Sequence, residues 1–95
     1  MTKKDNLLKK IGKIINELDE VINYKNNLIK DFSSVEQMRL FKKTFLSIVD
    51  EIENGQIPPK NERNIGIARV VIDQWPFDFY LGEWLIEAEE IYKEI

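Results

Sequence analysis

The chain has 95 residues, 43% of them hydrophobic and 33% charged, with 14 Lys+Arg against 17 Asp+Glu and a net charge of −3. That length supports one domain around a single modest core, and the charged fraction is enough to cover its surface. There is no His and no Cys, which excludes imidazole acid–base chemistry, Ser-His-Asp and Cys-His nucleophiles, disulfides, and zinc or iron–sulfur sites built on those ligands.

The opening Met1-Thr2-Lys3-Lys4-Asp5-Asn6 is polar, and Lys9-Lys10 cuts short the apolar pair Leu7-Leu8. A signal peptide needs an apolar run of about 7–15 residues and a bilayer span about 18, so the expected compartment is the cytoplasm, with no membrane partner. The Lys-, Ile- and Asn-rich composition is of a bacterial kind.

Leu7, Ile11, Ile14, Leu18 and Val21 recur four, three, four and three residues apart. That is one stripe of an amphipathic helix, expected from about Lys4 to Tyr24. The Asn-rich stretch from Asn23 to Asn27 weakens it, and Asn23–Phe32 reads equally as a last helical turn or as a loop. Ser33 with Glu36 three residues on is a capping-box pattern, and Met38, Phe41, Phe45, Ile48, Val49 and Ile52 then recur at helical spacing. Leu40 and Leu46 lie off the centre of that stripe. Asn54-Gly55 supplies a C-cap and Pro58-Pro59 forbids continuation.

A third helix is expected to start at Asn61 or Asn64, with Ile65, Ala68, Ile72 and Trp75 inward, Val71 beside them, and Pro76 as its end. Its Ile/Val content also suits a strand, but the three-four-three spacing favours a helix. Asp78 is the expected N-cap of a fourth helix buried through Leu81, Leu85, Ala88, Ile91 and Ile95. Gly82, one turn in, permits close helix packing at some cost in propensity. With no strand-type alternation, repeat or low-complexity tract, the fold class is all-α: a single domain, 1–95, forming an antiparallel bundle of three to four helices.

Charge is unevenly distributed. Up to Ile48 ten cations face six acids; after it eleven acids face four cations, so the two parts carry +4 and −7. Glu83, Glu87, Glu90 and Glu94 fall four, three and four apart on one face of the last helix, where like charges repel by a few tenths of a kcal/mol per pair. That spacing suits a solvated face; it equally suits a surface that meets a basic partner and speeds the encounter. The run Trp75-Pro76-Phe77-Asp78-Phe79-Tyr80, with Trp84 after it, holds more aromatic surface than a small bundle easily buries. Trp75 belongs to the core. Phe77, Phe79, Tyr80 and Trp84 point in differing directions, and aromatics among carboxylates characterise interface anchors. The candidate partner-binding residues are therefore Asp73, Asp78, Tyr80, Glu83, Trp84, Glu87 and Glu90.

Lys3, Lys4, Lys9, Lys10 and Lys13 could touch phosphates, but the chain is net acidic and no aromatics lie between these lysines, so no nucleic-acid partner is expected. The Asn54–Asn61 link is too long and Pro-rich for a helix-turn-helix.

Glu17 with Glu20, and Asp50 with Glu53, each stand three apart. Facing each other, two such pairs could hold Mg²⁺ through oxygens, which resembles the carboxylate pairing of all-α nucleoside triphosphate pyrophosphatases. Those enzymes carry a further acid where this chain has Asn16, and no Lys or Arg set for a triphosphate is evident. No catalytic residue, metal or cofactor is assigned.

A compact acidic helical chain of this size resembles the immunity proteins of bacterial toxin–immunity pairs, in size, charge and helix content. The resemblance implies a non-enzymatic inhibitor that covers the basic active-site surface of a nuclease toxin. An adaptor or regulatory interaction module is the alternative. Both leave monomer or homodimer open.

Overall fold

Alternating apolar stripes along one chain have to be buried against each other, and here four helices do so. A computed structural model describes residues 2–95, with α1 (Lys3–Asn23), α2 (Val35–Glu53), α3 (Ile67–Gln74) and α4 (Tyr80–Glu94), and single 3-10 turns at Asn26–Leu28 and Lys60–Glu62. The segment between α1 and α2 is thus mostly loop. Among the described residues no helix is long and apolar enough to cross a membrane.

The helix ends are held by local chemistry. Thr2 caps α1 in a reciprocal box: its hydroxyl accepts the Asp5 N–H at 3.1 Å and the Asp5 carboxylate accepts the Thr2 N–H at 3.4 Å. Ser34, not Ser33, caps α2, accepting the Gln37 N–H at 3.1 Å, while the Ser33 hydroxyl bonds the Gln37 side chain. After α2, Gly55 takes φ +67°, so Gly55 N–H reaches the Ile52 carbonyl (3.3 Å) and Gln56 N–H the Glu51 carbonyl (2.8 Å). Those two bonds are the Schellman arrangement, which needs a left-handed residue and so favours glycine.

α1 lies between α2 and α4 and runs antiparallel to both; α3 folds back on α4 as a helical hairpin. Leu7, Ile11, Ile14, Leu18 and Val21 of α1 are all buried. They meet Met38, Phe41, Phe45 and Ile48 of α2 on one flank and Leu81, Leu85, Ala88 and Tyr92 of α4 on the other. The aromatic run closes one end of the bundle. Phe32, Phe41, Trp75 and Phe79 stack with centroids 5.3–6.0 Å apart, and Phe79, Tyr80 and Trp84 continue the chain of rings.

α3 departs from the sequence expectation. Neither Asn61 nor Asn64 caps it; the chain enters through Gly66 at φ +75° with no side-chain cap of its own. The acceptor comes from α4 instead: Glu89, 2% exposed, takes the Ala68 N–H at 2.8 Å through Oε1, and Lys93 Nζ stands 3.3 Å from its other oxygen. The inward residues are Ile67, Val71 and Trp75, and Ile72 is turned out with 66% of its surface exposed. In a two-turn helix with three successive apolar residues, Val70, Val71 and Ile72, more than one apolar stripe can be drawn, and contact with α4 selects the one that is buried. That contact is close because Gly82 has no side chain: a Cβ there would stand 2.9 Å from Val71 Cγ1.

Two expectations for α4 also shift. Asp78 does not cap it; Phe79 is the N-cap residue and uses no side-chain bond. Its buried face runs through Leu81, Gly82, Leu85, Ala88, Glu89 and Tyr92, leaving Ile91 and Ile95 at the margin. At its other end the buried Arg63 donates from Nε to the Pro58 carbonyl (2.7 Å) and from a terminal nitrogen to the Tyr92 carbonyl (3.3 Å). It thereby satisfies one of the carbonyls that a helix C-terminus leaves unpaired.

Thermal or urea unfolding checks two consequences. Gly82→Ala lowers stability by about 1 kcal/mol, because overpacking against Val71 outweighs the gain in helix propensity, whereas Gly12→Ala, in open space within α1, raises it by a similar amount. Glu89→Ala costs about 2–3 kcal/mol by orphaning the Ala68 N–H, and Glu89→Gln, which keeps an acceptor, costs clearly less.

Candidate functional site on α3 and α4

The acidic residues of α4 do not all face solvent alone. Lys3 meets Glu94 at 3.2 Å, Lys10 meets Glu87 at 2.8 Å, Lys13 Nζ lies 4.0 Å over the Trp84 ring, and the Tyr80 hydroxyl donates to Glu17. Each step of seven, three and four residues up α1 is matched by the same step down α4, so one antiparallel seam orders all four contacts. Lys25 adds to the Glu17 end at 3.4 Å. These are exposed or half-exposed pairs, each worth at most about 1 kcal/mol. Their larger effect is to neutralise Glu87 and Glu94 and to occupy Tyr80 and Trp84 with internal contacts.

The remaining carboxylates lie toward α3. Among the described residues Asp78, Glu83 and Glu90 have no cation within salt-bridge distance, and Asp73 has only a marginal contact, Arg69 at 4.0 Å. Beside them, Phe77 is 94% exposed and Ile72 66%. Phe77 and Asp78 are the central residues of a turn closed by the Phe79 N–H on the Pro76 carbonyl at 3.2 Å, which drives both side chains outward. Between the two helices a groove of about 130 Å³ is lined by Val71, Ile72, Pro76, Phe77, Gly82, Glu83 and Ile86.

The seven sequence candidates therefore divide. Asp73, Asp78, Glu83 and Glu90 are exposed and near the α3–α4 side; Tyr80, Trp84 and Glu87 serve the α1 seam. Two exposed apolar residues lie outside the seven candidates: Ile72, expected in the core, and Phe77, expected among aromatics of which some reach the surface. The Pro76-Phe77-Asp78 turn was the available signal for the second.

The opposite flank has the opposite sign. Arg39, Lys42, Lys43 and Leu46 of α2, with Asp19, Ile22 and Asn23 of α1, line a shallow cleft, where Lys42 pairs with Asp19 at 2.7 Å. That pair also sets the α1–α2 register and with it the two carboxylate pairs. With α2 antiparallel to α1, Asp50 and Glu53 lie level with about Ile11 and Leu8, roughly 9 and 14 Å along the axis from Glu17 and further from Glu20. The four do not converge, and no group of three or more acidic side chains among the described residues is placed to hold a metal ion.

No protein-family model matches the chain, and no curated protein matches it.

Two phenols have strongly altered acidity. Burial, together with the hydrogen bond and negative charge of Glu17, pushes Tyr80 from 10.0 up to about 12. Burial and Glu51, which accepts the Tyr92 hydroxyl at 2.8 Å, push Tyr92 up to about 12 against a smaller opposing effect of Arg63. Both folded values lie above the unfolded one, so the stabilisation is complete below pH 10 and is lost as pH rises from 10 toward 12. Denaturation midpoints measured across that range fall steeply in the native chain, and the slope flattens in the Tyr80→Phe/Tyr92→Phe variant.

Proposed function

We propose that this protein is a non-enzymatic inhibitor of another protein, which it binds through the α3–α4 face. The observation that carries the reading is Phe77 and Ile72 standing 94% and 66% exposed beside carboxylates that the chain's own cations leave unpaired. An exposed Phe and Ile forgo about 1.5–3 kcal/mol each relative to full burial. A site of this composition supplies both halves of a binding surface: apolar anchors for affinity and unpaired acids for encounter rate and selectivity. The partner is a basic protein. In line with the resemblance to immunity proteins, it is a bacterial toxin, a nuclease whose phosphate-binding surface is covered by Asp73, Asp78, Glu83 and Glu90 in place of the nucleic acid. Glu87 is left out of this set because Lys10 already holds it.

The basic α1–α2 cleft favours a second reading, an adaptor that joins a basic partner on one flank to an acidic one on the other. A ternary complex on size exclusion separates it from a one-to-one inhibitor.

The test is capture of the partner by the tagged chain from nuclease-treated native cells, followed by binding kinetics. Phe77→Ala weakens the complex at least about tenfold, mainly through faster dissociation, while the melting temperature is unchanged. Glu83→Lys with Glu90→Lys slows association and flattens its salt dependence. A complex indifferent to all three changes places the interface elsewhere, and failure of the chain to rescue cells from the captured protein removes the inhibitor reading.

A further inference from the structure

The α3–α4 groove is a small, mostly apolar slot open to solvent. Its volume is about 130 Å³, room for several water molecules. The buried Val71 and Gly82 form its floor, Ile72, Pro76 and Ile86 its apolar sides, and the exposed Phe77 and Glu83 its rim. We propose that it receives an arginine of the basic partner, an inference that rests on the binding face assigned above.

Three features of the groove select that occupant. The apolar sides suit an aliphatic stem, which Arg and Lys lay along hydrophobic surface while their heads stay in water. Glu83 has no intramolecular cation and stands where the head emerges, so a neutral occupant would desolvate a carboxylate without compensating it. The Phe77 ring lies open to a cation, and a guanidinium, planar and weakly hydrated, stacks on an aromatic face better than an ammonium does.

The other side of α4 already shows the same chemistry in finished form. A cleft of about 140 Å³ there is lined by Lys10, Lys13, Ile14, Glu83, Trp84 and Glu87. In it α1 lays Lys13 over the Trp84 ring at 4.0 Å and joins Lys10 to Glu87 at 2.8 Å. The α3 side has an aromatic and an apolar bed of its own, Phe77 and Ile86, and shares Glu83 with the first cleft, but no cation of this chain lines it.

Amide NMR titration with capped glycine tripeptides bearing arginine, citrulline, lysine or norleucine at the centre tests this directly. Arginine is expected to shift the amides of Ile72, Phe77, Gly82 and Glu83, binding at least about threefold tighter than the isosteric but uncharged citrulline. Glu83→Gln abolishes that preference, and Phe77→Ala weakens arginine binding while both variants keep the native melting temperature. Equal binding of norleucine, or shifts that do not gather at the groove, overturn the proposal. The two readings fail separately. Capture of a basic partner without arginine preference retains the binding face and removes the arginine receptor; arginine preference without a basic partner retains the receptor and removes the inhibitor.

Discussion

The carboxylate of Glu89 bonded to the Ala68 N–H at 2.8 Å is the contact on which the α3–α4 face depends. α3 has only eight residues, too few to be stable alone in water. It enters through a glycine with no capping side chain, so its first turn is completed from another helix. An acid buried to 2% exposure must keep its bonds, and here both oxygens are engaged, by Ala68 and Lys93. Gly82 supplies the second constraint by letting Val71 approach α4 closely. Together they leave α3 one rotational setting: Val71 and Trp75 inward, Ile72 outward. The groove between the helices follows from that setting.

The α1–α4 seam divides the acidic surface by use. Its lysines neutralise Glu87 and Glu94 and engage Trp84, and Tyr80 is bonded to Glu17. Part of the polarity along the sequence, +4 followed by −7, is therefore pairing between the first helix and the last, where Glu87 and Glu94 meet Lys10 and Lys3. What it leaves over is a smaller acidic patch on the side of α4 away from α1. Such exposed pairs contribute modestly to stability, but they align two helices in a single register, and that register determines which carboxylates remain available to another molecule.

The sequence was most informative where periodicity was long and least where it was short. The stripe Leu7, Ile11, Ile14, Leu18 and Val21 is buried throughout, as its spacing predicts, and the off-centre Leu40 and Leu46 are indeed exposed. Gly55 ends α2 as expected, and Gly82 lies where helices approach closely. The phase of α3 was not legible, because Ile65, Ile67, Val70, Val71 and Ile72 offer a stripe in several directions and its cap, Glu89, lies far along the chain. For the same reason Ile72 was read as core. The candidate site was half legible: the free carboxylates were identified, but the lysines that remove Glu87 from the set are separated from it by most of the sequence. No local pattern reveals such pairing; it becomes visible only once the helix register is known.

Both sides of α4 carry an aromatic ring near a carboxylate, and the α1 side is where this chain's own lysines meet them. On the α1 side the lysines are tethered, so they find Trp84 and Glu87 at high effective concentration and hold them at little entropic cost. On the α3 side Phe77 and Glu83 are exposed, and any cation from another molecule would meet the cost of association before the contact stabilised anything. One arginine is too weak an anchor to do so alone. It becomes useful when the surrounding carboxylates hasten the encounter and the apolar groove slows departure, which are distinct contributions to affinity. Glu83 is the one carboxylate that lines the groove, and Asp73, Asp78 and Glu90 are exposed on the same two helices and the turn between them. Filling the slot with a large side chain from α3 or α4 would bury more apolar surface in the isolated chain and close the groove.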